Sequence, residues 1–266
     1  MARTGLVNEF RRSLVTGWGI GAGASVLEIG CGQGEMTAAL AEAVGPRGRV
    51  VAVDSAGPDY GSPTTIGEAT ADLSAGPLGT RVDVRLSFDV LANDFPDDEF
   101  DHVVLAHSSW YFASLDQLRA TLDAVRSWAP VLCFAEWDLR PGDARQLPHL
   151  LAVLIQGQLV ASGLTDGWNV RTPFSREALL RLAAATGWEV DEVRAVDTAG
   201  LPDADWEIRA CLDLASRSLG ERTEPAHDLL VSQLDVLRSV AAASGNRPLP
   251  AYQLVGRRRS VGVSPG

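Results

Sequence analysis

Val26-Leu27-Glu28-Ile29-Gly30-Cys31-Gly32-Gln33-Gly34, with Val50-Val51-Ala52-Val53-Asp54 downstream, decides the fold of this chain. The first run is short and apolar and stops at three glycines spaced one residue apart. Glu35-Met36-Thr37-Ala38-Ala39-Leu40-Ala41-Glu42-Ala43-Val44 follows, a good helix former. The order is strand, tight turn, helix. Glycines give the turn its unusual backbone angles and let a ligand touch the main chain. The helix start offers unpaired N–H groups to whatever sits in the turn. The second run ends in Asp54, about twenty residues on, where an acid can hydrogen-bond both hydroxyls of a ribose. Together they form a nucleoside-binding half-sheet.

A dinucleotide fingerprint needs G-x-G-x-x-G, and here the sixth place is Glu35. A carboxylate there would face a pyrophosphate, which is electrostatically poor. A Walker loop is excluded because the chain contains no lysine; every cationic side chain is arginine. The pattern E-x-G-x-G-x-G before a strand ending in Asp instead resembles motifs I and II of the class I S-adenosylmethionine-dependent methyltransferases. That cofactor carries a carboxylate, an ammonium and a sulfonium but no phosphate, so an acid beside the glycines is tolerable.

The resemblance continues at Phe88-Asp89-Val90, where that family places an acid that reads the adenine amino group. It extends to Phe95-Pro96-Asp97-Asp98-Glu99-Phe100-Asp101, which is similar to the turn before strand four, and to the strand that follows. The match covers roughly residues 5–137 in register. It implies cofactor contacts from Glu28, Gly30, Cys31, Gly32, Gln33, Gly34, Asp54, Ser55, Asp89 and Val90. The implied cofactor is S-adenosylmethionine, with S-adenosylhomocysteine as product. One departure matters: after strand four the chain reads His107-Ser108-Ser109-Trp110-Tyr111, not the Asn/Asp-Pro-Pro-aromatic run of base-modifying amino-methyltransferases.

At 266 residues and 46% hydrophobic content, the chain suits one α/β domain with additions. The expected fold is Rossmann-like, with a mostly parallel seven-stranded sheet, helices on both faces and helical lid insertions. The domain is placed at 1–258 and a flexible tail at 259–266. A net charge of −11 disfavours a nucleic-acid partner, because phosphate backbones need a basic face. Arg257-Arg258-Arg259, the only basic run, reads as a solvated terminus. No apolar run reaches membrane-span length and no signal-peptide h-region opens the chain, so a cytoplasmic location without a membrane partner is expected. Cys31, Cys133 and Cys211 lie in no metal-ligand spacing and read as reduced, buried thiols. The bias toward Arg, Ala, Gly and Val suggests a bacterial source.

Leu6, Phe10, Leu14 and Trp18 recur at spacings of four, which predicts a helix over 6–18. In the resembling family such a helix covers the cofactor's methionine end, which makes Trp18 a candidate wall of the substrate site, although a core anchor is the commoner fate for such a stripe. Strands are predicted at 26–29, 50–54, 82–86, 102–106 and 131–136, with helices near 35–44, 64–73 and 115–128. Their near-continuous β-branched runs fit strands buried on both faces of a parallel sheet. A core helix at 175–185, N-capped by Ser175, a strand at 188–196 and a last strand at 252–255 complete the fold. Extra helices near 146–162, 203–219 and 224–243 define two insertions, about 145–172 and 202–246, assigned to the lid and substrate selection.

Methyl transfer from a sulfonium is an in-line displacement that depends on alignment and exclusion of water. A base helps only if the acceptor must lose a proton early. His107 is the candidate catalytic group, since it falls at the carboxyl end of strand four, where open α/β sheets place ligands. The plainer alternative is a histidine that anchors its loop through a backbone hydrogen bond. Trp110, Tyr111 and Phe112 offer an aromatic wall, one or more of them packing against the next helix instead. Glu136 or Trp137, ending strand five, faces the acceptor, and Asn169 and Arg171 form a polar clamp or a solvated turn. His102, His149 and His227 are assigned structural or surface roles. No metal site is expected.

These residues point to a methyltransferase acting on a small-molecule acceptor of the secondary-metabolite kind. The runner-up is a cyclase or isomerase that binds the same cofactor without transferring methyl. A binding module with a degraded acceptor site and a nicotinamide oxidoreductase come behind.

Overall fold

The computed structural model describes residues 2–165, 168–218 and 225–259. Five strands run in parallel: β1 (Ser25–Ile29), β2 (Arg49–Val53), β3 (Val82–Arg85), β4 (His102–Ala106) and β5 (Val131–Trp137). β6 (Trp188–Val196) and β7 (Ala251–Arg258) complete the sheet, β7 running antiparallel to both β5 and β6. The seven-stranded order is β3-β2-β1-β4-β5-β7-β6, so the sheet reverses direction of growth between β1 and β4. Ligands of open α/β sheets bind at that switch, outside the carboxyl ends of the strands.

The central strands β1, β2, β4 and β5 are buried along nearly their whole length, as expected of strands covered on both faces. β3 and β6, at the two edges, show exposed positions along their length, because each has a neighbour on one side only. α1 (Ala2–Trp18) and α2 (Glu35–Val44) pack together, and α1 also meets β7. α3 (Ile66–Ala75) follows β2, and α4 (Leu115–Trp128) packs on α6 (Arg176–Ala185).

Several boundaries differ from the sequence expectation for local reasons. α1 begins at Ala2 rather than Leu6. α3 starts at Ile66 rather than 64, because Thr65 is its N-cap in a reciprocal capping box with Glu68. β7 runs from Ala251 to Arg258, longer than 252–255, because it is paired on both sides. The arginine run lies at the end of this strand and stays largely solvated, with Arg257 and Arg259 exposed. Arg257 and Arg258 are strand residues, and Arg257, Arg258 and Arg259 face Asp191, Asp98 and Glu189.

The two insertions pack on each other. α5 (Leu147–Ala161), α7 (Asp203–Ser218) and α8 (Pro225–Ser244) share a second hydrophobic core that includes Ile155, Leu159, Ile208, Leu214, Leu234 and Leu237. Residues 166–167 and 219–224 of the insertions, and 260–266 of the expected tail, lie outside the described residues. Among the described residues no helix is long and apolar enough to cross a membrane.

Candidate active site

The glycine turn sits between β1 and α2. Gly30, Gly32 and Gly34 have φ of 79°, 50° and 88°, conformations that side-chain-bearing residues adopt at a cost. Their surroundings differ. A Cβ on Gly30 would lie 2.4 Å from the Ser108 Cβ, whereas a Cβ on Gly32 would meet nothing within 4 Å. Gly30 is therefore required by packing, and Gly32 leaves open space over the turn.

Asp54 follows β2 directly, and its carboxylate is already positioned. Oδ2 accepts from the Gly32 N–H and Oδ1 from the Ala56 N–H, both at 2.9 Å. The acid at the end of β2 thus ties down the glycine turn while each oxygen keeps a further lone pair. Gln33 reaches across to the Thr64 carbonyl, and the Ser87 and Phe88 amides bond the Ala56 and Asp54 carbonyls. Asp89 accepts from the Leu91 amide at 2.9 Å and remains exposed beside buried Val90. Ser55 is exposed and Cys31 buried, its thiol pushed up by burial.

Glu28 is the unusual member. It is 2% exposed, and its Oε2 accepts from Thr37 Oγ1 at 2.6 Å. Burial pushes its carboxyl up to about 8, opposed by the Thr37 hydrogen bond and the Arg11 guanidinium.

The second half of the site lies beyond β4. Ser108 Oγ donates to the Ile29 carbonyl at 2.9 Å, seating the loop after β4 on the glycine turn. His107, held at φ 53°, starts that loop. Such a backbone is uncommon for histidine and persists where surrounding contacts enforce it. The imidazole packs against the rings of Phe10 (5.4 Å) and Trp137 (4.6 Å), and its Nδ1 is 3.4 Å from Glu136 Oε1. Neither ring nitrogen makes a hydrogen bond, so the loop-anchor alternative finds no support in the side chain. The backbone does the anchoring, through the His107 amide on the Ala135 carbonyl.

A narrow pocket of about 10 Å³, room for about one water, lies here, lined by His107, Trp110, Tyr111, Glu136, Trp137, His149, Val153, Val170 and Glu207. Glu136 is fixed by Ser109, whose Oγ and N–H donate to Oε2 at 2.6 and 3.2 Å, and by the Trp137 amide at 3.1 Å to Oε1. His149 Nδ1 accepts from the Leu249 amide at 2.9 Å, which places the proton of the neutral ring on Nε2. Burial, with His107 adding, lowers its pKa to about 3, so it stays neutral. Its Nε2 and Trp110 Nε1 are buried donors without a partner, and both residues line the pocket.

Of the residues expected at the acceptor, Trp110, Tyr111 and Trp137 line this pocket, with His107 among them. Phe112 packs on the main core instead. Of the two roles open to Trp18, the structure gives the core anchor and not the site wall: it is 5% exposed within the main core and does not line the pocket, while Phe10 on the same helix meets His107. Asn169 and Arg171 do not line it either. Asn169 Oδ1 accepts from the Tyr60 hydroxyl, and Arg171 Nε donates to the Trp168 carbonyl. The Arg171 and Thr172 amides both donate to the Trp110 carbonyl, which leaves Val170 facing the pocket. The sequence reading missed Val153, Val170 and Glu207 and assigned His149 elsewhere; His149 is structural through one nitrogen and lines the pocket as well. Among the described residues no cluster of His, Cys, Asp and Glu could hold a metal ion.

A family profile described as "Methyltransferase domain" matches residues 26–130, from β1 through the loop before β5. A solved structure, a cyclopropane-fatty-acyl-phospholipid synthase-like protein from Lactobacillus casei ATCC 334, is 32% identical with a TM-score of 0.84, covering 96% of this chain and 92% of that one. The chain belongs to the class I S-adenosylmethionine-dependent methyltransferases. Two curated relatives, methyltransferases phomM' and phomM of Diaporthe leptostromiformis, are each 31% identical over 77% of this chain. This methyltransferase-family chain spans 64% of their length. The [4+2]-cyclase SpnF shares the fold at 15% identity and a TM-score of 0.57, covering 96% of this chain and 81% of SpnF. The cofactor of the family is S-adenosylmethionine, and the residues present fit it. Open space over Gly32 admits a close approach to the main chain, Asp54 presents a carboxylate at the end of β2 with a lone pair left on each oxygen, and the cofactor brings no phosphate to Glu35.

Proposed function

We propose that this chain transfers a methyl group from S-adenosylmethionine to a small-molecule acceptor seated among His107, Trp110, Tyr111, Trp137 and Glu207. The observation that carries the reading is the seat of the His107 loop on the glycine turn. Ser108 bonds the Ile29 carbonyl and fills the space beside Gly30, so cofactor turn and acceptor pocket share a wall. When bound, S-adenosylmethionine supplies a sulfonium methyl, the C–S bonding pair staying on sulfur to leave S-adenosylhomocysteine. Gly32, Asp54 and Asp89 would hold it, and Glu28 underlies the turn. The pocket side chains align the acceptor and exclude water, the two contributions this chemistry most needs. His107 Nε2 takes a proton from an acceptor that must lose one, while a proton on Nδ1 faces Glu136.

The phomM pair, themselves methyltransferases by name, support a methyltransferase. The likeness to the synthase-like protein of Lactobacillus casei raises acyl-chain chemistry, but two histidines and two glutamates in the lining favour a small polar acceptor over a long acyl chain. The net charge of −11 favours such an acceptor over nucleic acid. Three buried, unbridged thiols support a reducing, cytoplasmic compartment.

The test is incubation with methyl-labelled S-adenosylmethionine and a metabolite panel, read by mass spectrometry. Labelled product appearing in step with S-adenosylhomocysteine is expected. Cofactor-dependent conversion of a substrate with no methyl released would overturn the reading in favour of cyclisation or isomerisation.

A further inference from the structure

Resting on the methyl-transfer reading, we propose that the acceptor is an amine that enters as its ammonium, and that Glu207 selects it. The pocket combines three aromatic rings, Trp110, Tyr111 and Trp137, with the carboxylates of Glu136 and Glu207, and no Lys or Arg lines it. His149 adds no charge, since its ring stays neutral. Rings attract cations through their faces, and a carboxylate in a water-poor site attracts them more strongly than in bulk water.

The two carboxylates are not equivalent. Both oxygens of Glu136 are occupied by Ser109 and the Trp137 amide, and Oε1 faces His107. Glu207, on α7, is held at one oxygen only. Gln156 Nε2 donates to Oε2 at 2.8 Å, and the fully buried Gln156 is itself fixed by Trp168 Nε1 on its Oε1. Glu207 Oε1 accepts no hydrogen bond among the described residues. Burial pushes the Glu207 carboxyl above its ordinary value, opposed by the Gln156 hydrogen bond and with Asp203 adding. A cation bound at its second oxygen would draw it to the ionised form and be held there, as at a receptor for an N–H-bearing cation. An anionic acceptor would be repelled, and an alcohol would leave the charge uncompensated.

The proton balance fits the same residues. The ammonium gives one proton to His107 Nε2, and the imidazolium formed is faced by Glu136. The freed nitrogen lone pair forms the new N–C bond to the methyl carbon. The positive charge lost from sulfur ends on the methylated nitrogen, which Glu207 continues to face.

Three probes of one shape separate the possibilities: benzylamine (protonated at neutral pH), benzyl alcohol and benzoate. Each is titrated calorimetrically into the S-adenosylhomocysteine-saturated protein. Benzylamine is expected to bind about tenfold or more tightly than either of the others. Glu207→Gln, checked for an unchanged melting temperature, should erase the preference while leaving benzyl alcohol binding in place. Equal affinities, a preference for benzoate, or no binding of benzylamine would overturn the proposal, and the wild-type ranking decides even if the variant does not fold. The two readings fail differently. Labelled methyl found on alcohols or acids but never on amines would overturn the amine while upholding methyl transfer. An amine preference with no methyl transferred to any acceptor would leave the amine site standing and overturn the transferase.

Discussion

Glu136 Oε1 lies 3.4 Å from His107 Nδ1, and both groups are nearly sealed from solvent, the side chains 1% and 7% exposed. A proton on Nδ1 would face this carboxylate and leave Nε2 as the nitrogen able to accept one. The distance is long for a hydrogen bond, as is common in sites that tighten when substrate binds. Ser109 makes the arrangement rigid, since its side chain and amide both hold Glu136.

If His107 removes the acceptor's proton, His107→Ala should lower turnover by roughly 10²–10⁴-fold with cofactor affinity little changed. Glu136→Gln should lower kcat with KM held, and should shift the pH–rate profile, which a purely structural residue would not do. His107→Asn separates the roles: retained activity would show positioning, and loss equal to that of alanine would show base work.

Gly30 and Gly32 should fail in different ways. Gly30→Ala drives a Cβ to 2.4 Å from Ser108 at positive φ, so it should cost about 2–4 kcal/mol of stability and displace the His107 loop. Gly32→Ala meets no neighbour and should cost about 1 kcal/mol, yet weaken cofactor binding. Denaturant melts and calorimetric titration of the two variants check this. Equal loss of stability in both would remove the distinction between a packing glycine and a ligand-facing one.

The cofactor half was legible because its determinants are local. Strand, glycine turn, helix and a distal acid are set by neighbours in sequence, and β1, β2 and α2 fall where periodicity and glycine place them. The acceptor half was legible only in part. His107, Trp110 and Trp137 are read from the ends of β4 and β5, which the fold brings together. Glu207 and Val153 come from inserted helices whose rotation is set by their mutual packing through Ile155 and Ile208, and no short-range signal reveals it. Trp18 stayed open between site wall and core anchor for the same reason. Its spacing fixes the face of α1, but which end of that face meets the pocket depends on the angle at which α1 crosses β7.

Asp54→Ala should weaken S-adenosylmethionine by about 2–4 kcal/mol if both ribose bonds are lost. The structure adds a second consequence. The Gly32 and Ala56 amides lose their acceptor, so the free protein should also lose about 1–2 kcal/mol of stability. Unchanged affinity in calorimetric titration, with the fold intact, would remove Asp54 from the cofactor site.

The insertions should close over ligands as one unit, since α5, α7 and α8 share a core and α5 and α7 both contribute pocket side chains. Amide exchange in 147–161 and 203–218 should slow together when S-adenosylhomocysteine and an acceptor analogue are added. Equal exchange in free and bound protein would leave these helices as scaffold.

Glu28 should leave a pH signature in the free protein. Its carboxyl is raised from an ordinary value of 4.5 to about 8, chiefly by burial. A raised value means that the folded state prefers the protonated form. Its contribution is therefore fully present below about pH 4.5, falls as the unfolded chain ionises and the folded one does not, and levels off above about pH 8. The loss across that window is on the order of a few kcal/mol. Other groups titrate over the same range, so the quantity to measure is the difference between wild type and Glu28→Gln, which cannot ionise but still accepts from Thr37. Urea melts between pH 5 and 8 should show wild type losing stability relative to the glutamine variant as pH rises. A difference that stays flat would mean that Glu28 is ionised throughout the window, held by Thr37 and Arg11 despite its burial.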